Sequence, residues 1–399
     1  MIARPQHDDS ALLAGKPLAD DKGLGNFAPL FFSGGSALND LSLVIKKHTR
    51  RSIHLITPFD SGGSSASLRD AFNMPAVGDL RNRMIALADD AHADIRSVTH
   101  LLSKRLPNHG SASSFKKTLD SITQSTDPEM ADIARESAEF IQLSLEEFLR
   151  QSPVGFDFSG ASIGNLILCG DYLLNGRSLR TAVAHFGQVA RVSGVVQPMV
   201  EENLHLSAVL SGGGILTGQH RLTGKQVPPI THAISGLRLS RSAGTFDYAS
   251  CQIDASTTAL IASADLICFP PGSFFTSLCA NLLPGGVTEA VVGNPCNKVF
   301  VPNLGHDPEQ RDYEITDLIE FLLGILNAHR PGQGWVNPPL THILMHHDES
   351  RYSGSVDQNL LESYGIQLVK RPLVHRHQAY YDAELLFEEL SQIAGRSDR

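Results

Sequence analysis

The apolar positions of this chain follow two periods, and the periods sort it into elements. Short, nearly uninterrupted apolar runs at 29–32 (PLFF), 52–58 (SIHLITP), 264–269 (ADLICF), 298–302 (KVFVP) and 343–345 read as strands covered on both faces, the pattern of a parallel sheet. Between them apolar residues recur at three and four positions. Leu38, Leu41, Val44 and Ile45 predict a helix after the first strand, Leu80 begins another behind Gly78-Asp79, a third lies at 160–174, and 312–328 and 380–393 predict two more. Residues 91–153 are helical throughout, with Ile95, Val98, Leu101 and Leu102, then Ile133, Ile141, Leu145 and Phe148, and a break at 108–114. From 189 to 217 the pattern changes to alternation with glycine, which predicts antiparallel strands and tight turns on a flank of the sheet. Residues 222–254 give no assignable pattern. The expected fold class is α/β: a three-layer, Rossmann-like, mainly parallel sheet with an inserted helical subdomain and antiparallel flanking strands. The division is a polar tail over 1–27 and one α/β domain over 28–399 that contains the insertion 91–153, read either as a lid or as an extension of the core.

Three of the predicted strands end in glycine and serine. The first runs into Ser33-Gly34-Gly35-Ser36, the second into Asp60-Ser61-Gly62-Gly63-Ser64, and the strand at 264–269 into Pro271-Gly272-Ser273 with Thr276 and Ser277 behind it. Glycine lets a ligand approach the backbone closely, and serine hydroxyls with free N–H groups at a helix start supply donors for an anion. Successive strand ends of a parallel sheet share its carboxyl edge, where such folds bind ligands. Neither GxGxxG spacing nor a GK[ST] tail is present, so the standard dinucleotide and P-loop fingerprints are absent. Arg69 and Arg81 fall within reach of the second loop.

Composition narrows the function. The 399 residues are 42% hydrophobic and 19% charged, with a formal net charge of −9, which argues against a nucleic-acid partner. The densest basic run, 46–51, reads as the solvated end of the first helix. Five scattered cysteines without a CxxC pair fit buried thiols in a reducing compartment. The first 25 residues are polar and no stretch approaches the ~20 apolar residues of a membrane span, so the expectation is a soluble, cytoplasmic chain with no membrane partner. His306, after a strand end, reads as an exposed loop residue, and His346-His347-Asp348-Glu349 as a solvated loop rather than a metal cluster, because neighbours on a strand point apart.

In order, the loops resemble the motifs of the 2-phospho-lactate transferase (CofD) superfamily, nearest its YvcK-type, gluconeogenesis-factor branch. The matching segments are Ser33 to Leu38, Asp60 to Ser65, Gly78-Asp79-Leu80-Arg81-Asn82, Leu87-Ala88-Asp89, Ser162-Ile163-Gly164-Asn165, Pro271 to Ser277, and Asn303 after KVFVP. Ser33 and Ala37 stand where that branch has glycines, Ser61 where it has a second acid, and Pro270 where it has a glycine. The resemblance implies a ligand site of Gly34, Gly35, Ser36, Asp60, Ser61, Gly62, Gly63, Ser64, Gly78, Asp79, Arg81, Asn82, Asn165, Gly272, Ser273, Ser277 and Asn303. It further implies Asp60 and Arg81 as the residues of any chemistry, and Mg²⁺ on Asp60 together with the nucleotide. Arg81 is expected as a bidentate clamp on a diphosphate. Two functions follow from it: a nucleotide or nucleotide-sugar (UDP-sugar type) binding protein, regulatory in carbon or envelope metabolism; or a transferase that moves a phosphorus-containing group from a nucleotide-activated donor with Mg²⁺. The expected partner is that ligand, with a homodimer left open.

Overall fold

The computed structural model describes residues 25–224, 227–305, 307–327, 337–375 and 379–395. Residues 1–24 of the expected polar tail, His306, and Ala328 at the end of the helix expected over 312–328 lie outside them. In chain order the strands are β1 (Pro29–Ser33), β2 (Ile53–Ile56), β3 (Val195–Pro198), β4 (His205–Leu210), β5 (Gly214–Thr217), β6 (Ile234–Ser240), β7 (Tyr248–Ala249), β8 (Leu266–Phe269), β9 (Asn297–Phe300), β10 (His342–His346) and β11 (Gln367–Arg371). Seven of them form one parallel sheet in the order β11-β10-β9-β8-β1-β2-β3. The chain winds outward from β1 through β2 to β3, then returns to lay β8 on the free side of β1, with Leu30 opposite Ile53 on one side and Ile267 on the other. That reversal opens a crevice beyond the carboxyl ends of β1 and β8.

Every residue of β1, β2 and β8 is buried, as their unbroken apolar runs require. The pleat still separates the two faces. Leu30 and Phe32 join one core with Ile267, Phe269, Phe300 and Leu322, while Phe31 joins another with Leu41, Ile45, Leu266, Leu344 and Leu386. The helix Ile315–Asn327 therefore covers one face, and the first helix, α1 (Asn39–His48), with the closing helix Ala383–Ile393, covers the other. A third core gathers the helices α2 (Gly63–Phe72), α3 (Gly78–Ala86), α4 (Ala93–Ser103), α5 (Ala112–Thr123), α6 (Arg135–Gln151), α7 (Ile163–Leu174) and α8 (Leu179–Val189) around Leu102, Phe148, Ile167 and Phe186. Residues 91–153 thus supply apolar faces to a core they share with α7 and α8.

The antiparallel prediction divides in two. β3 joins the parallel sheet as its edge, whereas β4 and β5 form the expected hairpin but sit in a separate four-stranded sheet, β5-β4-β6-β7. β6 and β7 come from the stretch that carried no pattern, because Gly236 breaks the apolar alternation of ISGLRLS and leaves Ile234 out of phase with Leu237 and Leu239. The inner side of this small sheet, Leu206, Ala208, Leu237 and Leu239, packs into the same core as Leu30 and Phe32. His346 is the last residue of β10 and is buried, its Nδ1 accepting from the Leu373 N–H, while His347, Asp348 and Glu349 are exposed as expected. Cys169, Cys251, Cys268 and Cys279 are buried free thiols and Cys296 is half-buried. Among the described residues, no helix is long and apolar enough to cross a membrane.

Candidate functional site

The crevice holds a cavity of about 170 Å³. The loop after β1 lines it with Ser33 to Leu38, the loop after β2 with Asp60 and Gly62, and the loop after β8 with Pro270 to Ser273 and then Ser277; Asp79 at the start of α3 adds a second carboxylate. Nine of the sequence-expected residues therefore meet at one place: Gly34, Gly35, Ser36, Asp60, Gly62, Asp79, Gly272, Ser273 and Ser277. α1 and α2 both begin at this wall, and neither has a side chain capping its first turn. The positive end of each helix dipole favours an anion there.

Buried charges hold the loops. The Arg83 guanidinium has no exposed surface and donates to the carbonyls of Gly34, Gly35 and Leu38 and to Ser42 Oγ, fixing the first turn from beneath. Arg69 does the same for the second loop, donating to the Phe59, Asp60 and Leu204 carbonyls and to Asn203 Oδ1. It serves as a strut there, and it is not among the residues lining the cavity. Burial lowers the pKa of both arginines to about 10. Gly34 and Gly35 are glycines by necessity: a Cβ on Gly34 would lie 2.4 Å from Ser277 Oγ, and one on Gly35 2.3 Å from Asp79 Oδ1. Gly272, at φ +141°, is clasped by Asn303, whose Oδ1 accepts from its N–H at 2.6 Å and whose Nδ2 donates to its carbonyl at 2.5 Å. Behind it the fully buried Glu309 accepts from the Thr276 N–H at 3.0 Å and hydroxyl at 2.5 Å, and burial, with the nearby Asp307, pushes its carboxyl up to about 7.

Asp60 accepts from the Gly62 N–H at 3.0 Å. Burial raises its carboxyl above the usual range, against that bond, a bond from Ser65 and the charge of Arg69. Ser64 accepts from Asn165 Nδ2 at 3.0 Å, and Gly78 N–H donates to Ser65 Oγ, so Ser64, Gly78 and Asn165 back the wall rather than line it. Gly63 is the first residue of α2.

The fourth wall carries no residue that sequence reasoning selected. A short helical turn, Gln219–Leu222, leaves the small sheet and presents Gln219, His220 and Thr223 to the cavity. The His220 N–H donates to Ser61 Oγ at 3.2 Å, and Ser61 Oγ and His220 Nδ1 share a second hydrogen bond of 2.8 Å. Gln219 is 7% exposed and its Oε1 has no partner. The local sign of this wall is slight: a Gln-His pair after a glycine at a strand end.

Arg81 and Asn82 are not in this cavity. The Arg81 guanidinium donates to Ser162 Oγ and Asn82 Oδ1 and lines a second cavity of about 290 Å³ with Asn39, Leu43, Asn82, Ile85, Ala86 and Ser103. The chain continues straight from the first cavity into the second, Ser36 to Leu38 lining one and Asn39 the other.

Fold and site together define an α/β protein that presents glycine and serine loops at the switch point of a parallel sheet. The chain belongs to the family described as 2-phospho-L-lactate transferase CofD, which it matches over residues 30–374. It is similar to the gluconeogenesis factor of Bacillus subtilis, 25% identical over 90% of this chain and 97% of that protein. A putative gluconeogenesis factor of Thermotoga maritima is 28% identical over 72% of each chain. Among solved structures, a member of the upf0052 family from Bacillus halodurans superposes with a TM-score of 0.67 at 21% identity, covering 92% of this chain and 99% of that one.

Proposed function

We propose that the chain is a CofD/YvcK-like protein that binds a nucleotide or nucleotide-sugar, of the UDP-sugar type, in the switch-point cavity and acts in the regulation of carbon or envelope metabolism. The observation that carries this reading is the convergence of three glycine and serine strand ends, with two uncapped helix starts, on one cavity. A diphosphate suits those donors. Gln219 Oε1, a buried acceptor without a partner, suits an N–H of a base or a hydroxyl of a sugar. The carbon-metabolism role draws on the relatives named gluconeogenesis factors.

Mg²⁺ fits as part of the bound ligand. Among the described residues no group of three or more His, Cys, Asp or Glu could hold a metal, but Asp60 and Asp79 line the same cavity. Mg²⁺ takes one or two carboxylates together with phosphate oxygens, so those two acids would hold it with the nucleotide and the ion would offset diphosphate charge. Calorimetry of Mg²⁺ without nucleotide is expected to be silent. A second reading, transfer of a phosphorus-containing group from a nucleotide-activated donor, rests on the same two acids beside the hydrogen-bonded Ser61–His220 pair.

The test is a thermal-shift panel of UDP, UDP-sugars, GDP, ADP and NAD at millimolar concentration, with turnover assayed for any ligand that binds. A ligand at a hundredfold excess over Kd stabilises the native state by about 2.7 kcal/mol. No movement of the melting temperature with any compound would remove the nucleotide reading, and turnover would favour the transferase.

A further inference from the structure

We propose that the second cavity is a separate site for a small phosphate-bearing molecule carrying a hydroxyl, seated on Arg81 of α3. Three buried arginines use their donors in two different ways. Arg69 and Arg83 each engage main-chain carbonyls, three apiece, the arrangement of an arginine that braces loops. Arg81 is as deeply placed, at 5% exposure, yet its two hydrogen bonds go to the side-chain oxygens of Ser162 and Asn82 and none to a main-chain carbonyl; its Nε, like that of Arg83, has no partner. Its surroundings do not favour a second positive charge. Burial lowers its pKa to about 10, Arg105 lowers it further, and Asp79 offsets part of this. A bound anion supplies the compensation, and a guanidinium matches phosphate oxygens in shape.

The second observation concerns Asn39, the first residue of α1. Its side chain lines the same cavity, and its Oδ1 is buried without a hydrogen-bond partner. An acceptor beside a cation asks for a ligand that offers a donor next to its phosphate, such as a hydroxyl or a P–OH group. Leu43, 40% exposed, and Ile85 give the remaining wall an apolar stretch for a short carbon chain, and about 290 Å³ exceeds what a phosphoryl group alone fills. The site is distinct from the nucleotide cavity and does not depend on that reading.

The experiment is isothermal titration of the full chain with inorganic phosphate and with glycerol 3-phosphate, at ionic strength held constant with sodium chloride, and with UDP in parallel. Two variants are used. Asn39→Asp sets a negative charge at the orphan acceptor while keeping shape and Arg81, and Arg81→Gln removes the cation. We expect one saturable site for glycerol 3-phosphate, weakened at least tenfold in both variants, and independent, non-competing binding of UDP and glycerol 3-phosphate to the wild-type chain. Competition between UDP and glycerol 3-phosphate would assign Arg81 to the nucleotide cavity and overturn the proposal, as would the absence of binding by both phosphate probes. If Arg81→Gln fails to fold, as judged by its far-ultraviolet circular dichroism, Asn39→Asp decides. Should UDP not bind at all, the nucleotide reading falls while the phosphate titrations still decide this one.

Discussion

The walls of the switch-point cavity are held in two different ways. The strand-end loops are fixed by buried groups on their protein side: Arg83 under Gly34 and Gly35, Arg69 under Phe59 and Asp60, and Asn303 and Glu309 behind Gly272 and Thr276. The opposite wall, Gln219 to Thr223, is anchored in the core by the fully buried Leu222 and touches the second loop at Ser61, which His220 grips by ring and backbone. The first wall is braced by buried charge; the second rests on an apolar anchor and brings Gln219, His220 and Thr223 to the cavity. An anion cradle braced by buried charge, facing a wall of amide, imidazole and hydroxyl groups, recognises its ligand in two parts, one for charge and one for what the charge is attached to.

This contrast can be broken, and the largest effect lies on the charge-braced side. Arg83→Ala takes the guanidinium from the Gly34 and Gly35 carbonyls, and from the Leu38 carbonyl and Ser42 Oγ, which keep their bond to each other, and should cost about 3–5 kcal/mol in denaturant unfolding. A loss under 1 kcal/mol would show that the first loop does not depend on its strut. Next is the pH response of Glu309. Its folded pKa, about 7, stands above the ordinary 4.5, so the stability held by its protonated form is complete below pH 4.5 and is lost as pH rises through 7. The loss is on the order of 3 kcal/mol, and Glu309→Gln should flatten urea-derived stability across this window. A slope unchanged in the variant would place the titration elsewhere.

Gly34→Ala sharpens the comparison at atomic scale. The new Cβ would sit 2.4 Å from Ser277 Oγ and 3.2 Å from Asp79 Oδ2, so a cost of about 1–3 kcal/mol is expected, partly relieved by Ser277→Ala in the double mutant. The smallest effect on the fold belongs to the polar contact of the opposite wall. His220→Ala removes the ring contact to Ser61 and should lower stability by about 0.5–1.5 kcal/mol, while weakening UDP or UDP-sugar affinity more than it lowers the melting temperature. Equal losses in both would mean that the Ser61–His220 contact serves the fold rather than the ligand.

The same contrast explains what the sequence made legible. Strands buried on both faces and glycine loops at their ends are local patterns, so β1, β2, β8 and β9, and with them the three loops, could be read from the chain. Gln219 and His220 could not, because they reach the cavity through a second sheet, two of whose strands lack a clean period. Arg83 carries no local sign that separates it from Arg81 two residues earlier. Helical residues two apart face different directions, which sends Arg83 under the first loop and Arg81 into the second cavity. Asp79, expected from the motif alone, proves to share a cavity with Asp60, so a second acid reaches the site although Ser61 occupies its place in the loop.

The return of the chain to β1 has a consequence for biogenesis. β1 and β2 pair across a short stretch of sequence, but the partner on the other side of β1 is β8, and the Ala28 N–H bonds Asp265 from 237 residues away. During synthesis the half from β1 to β3 can assemble early, with one edge of its central strand bare, and the crevice has no second bank until residues beyond 277 have emerged. Contacts of such long range form late and slowly. The nascent chain therefore waits, for most of its length, with an apolar strand edge unpaired, and ligand competence comes at the step that covers it.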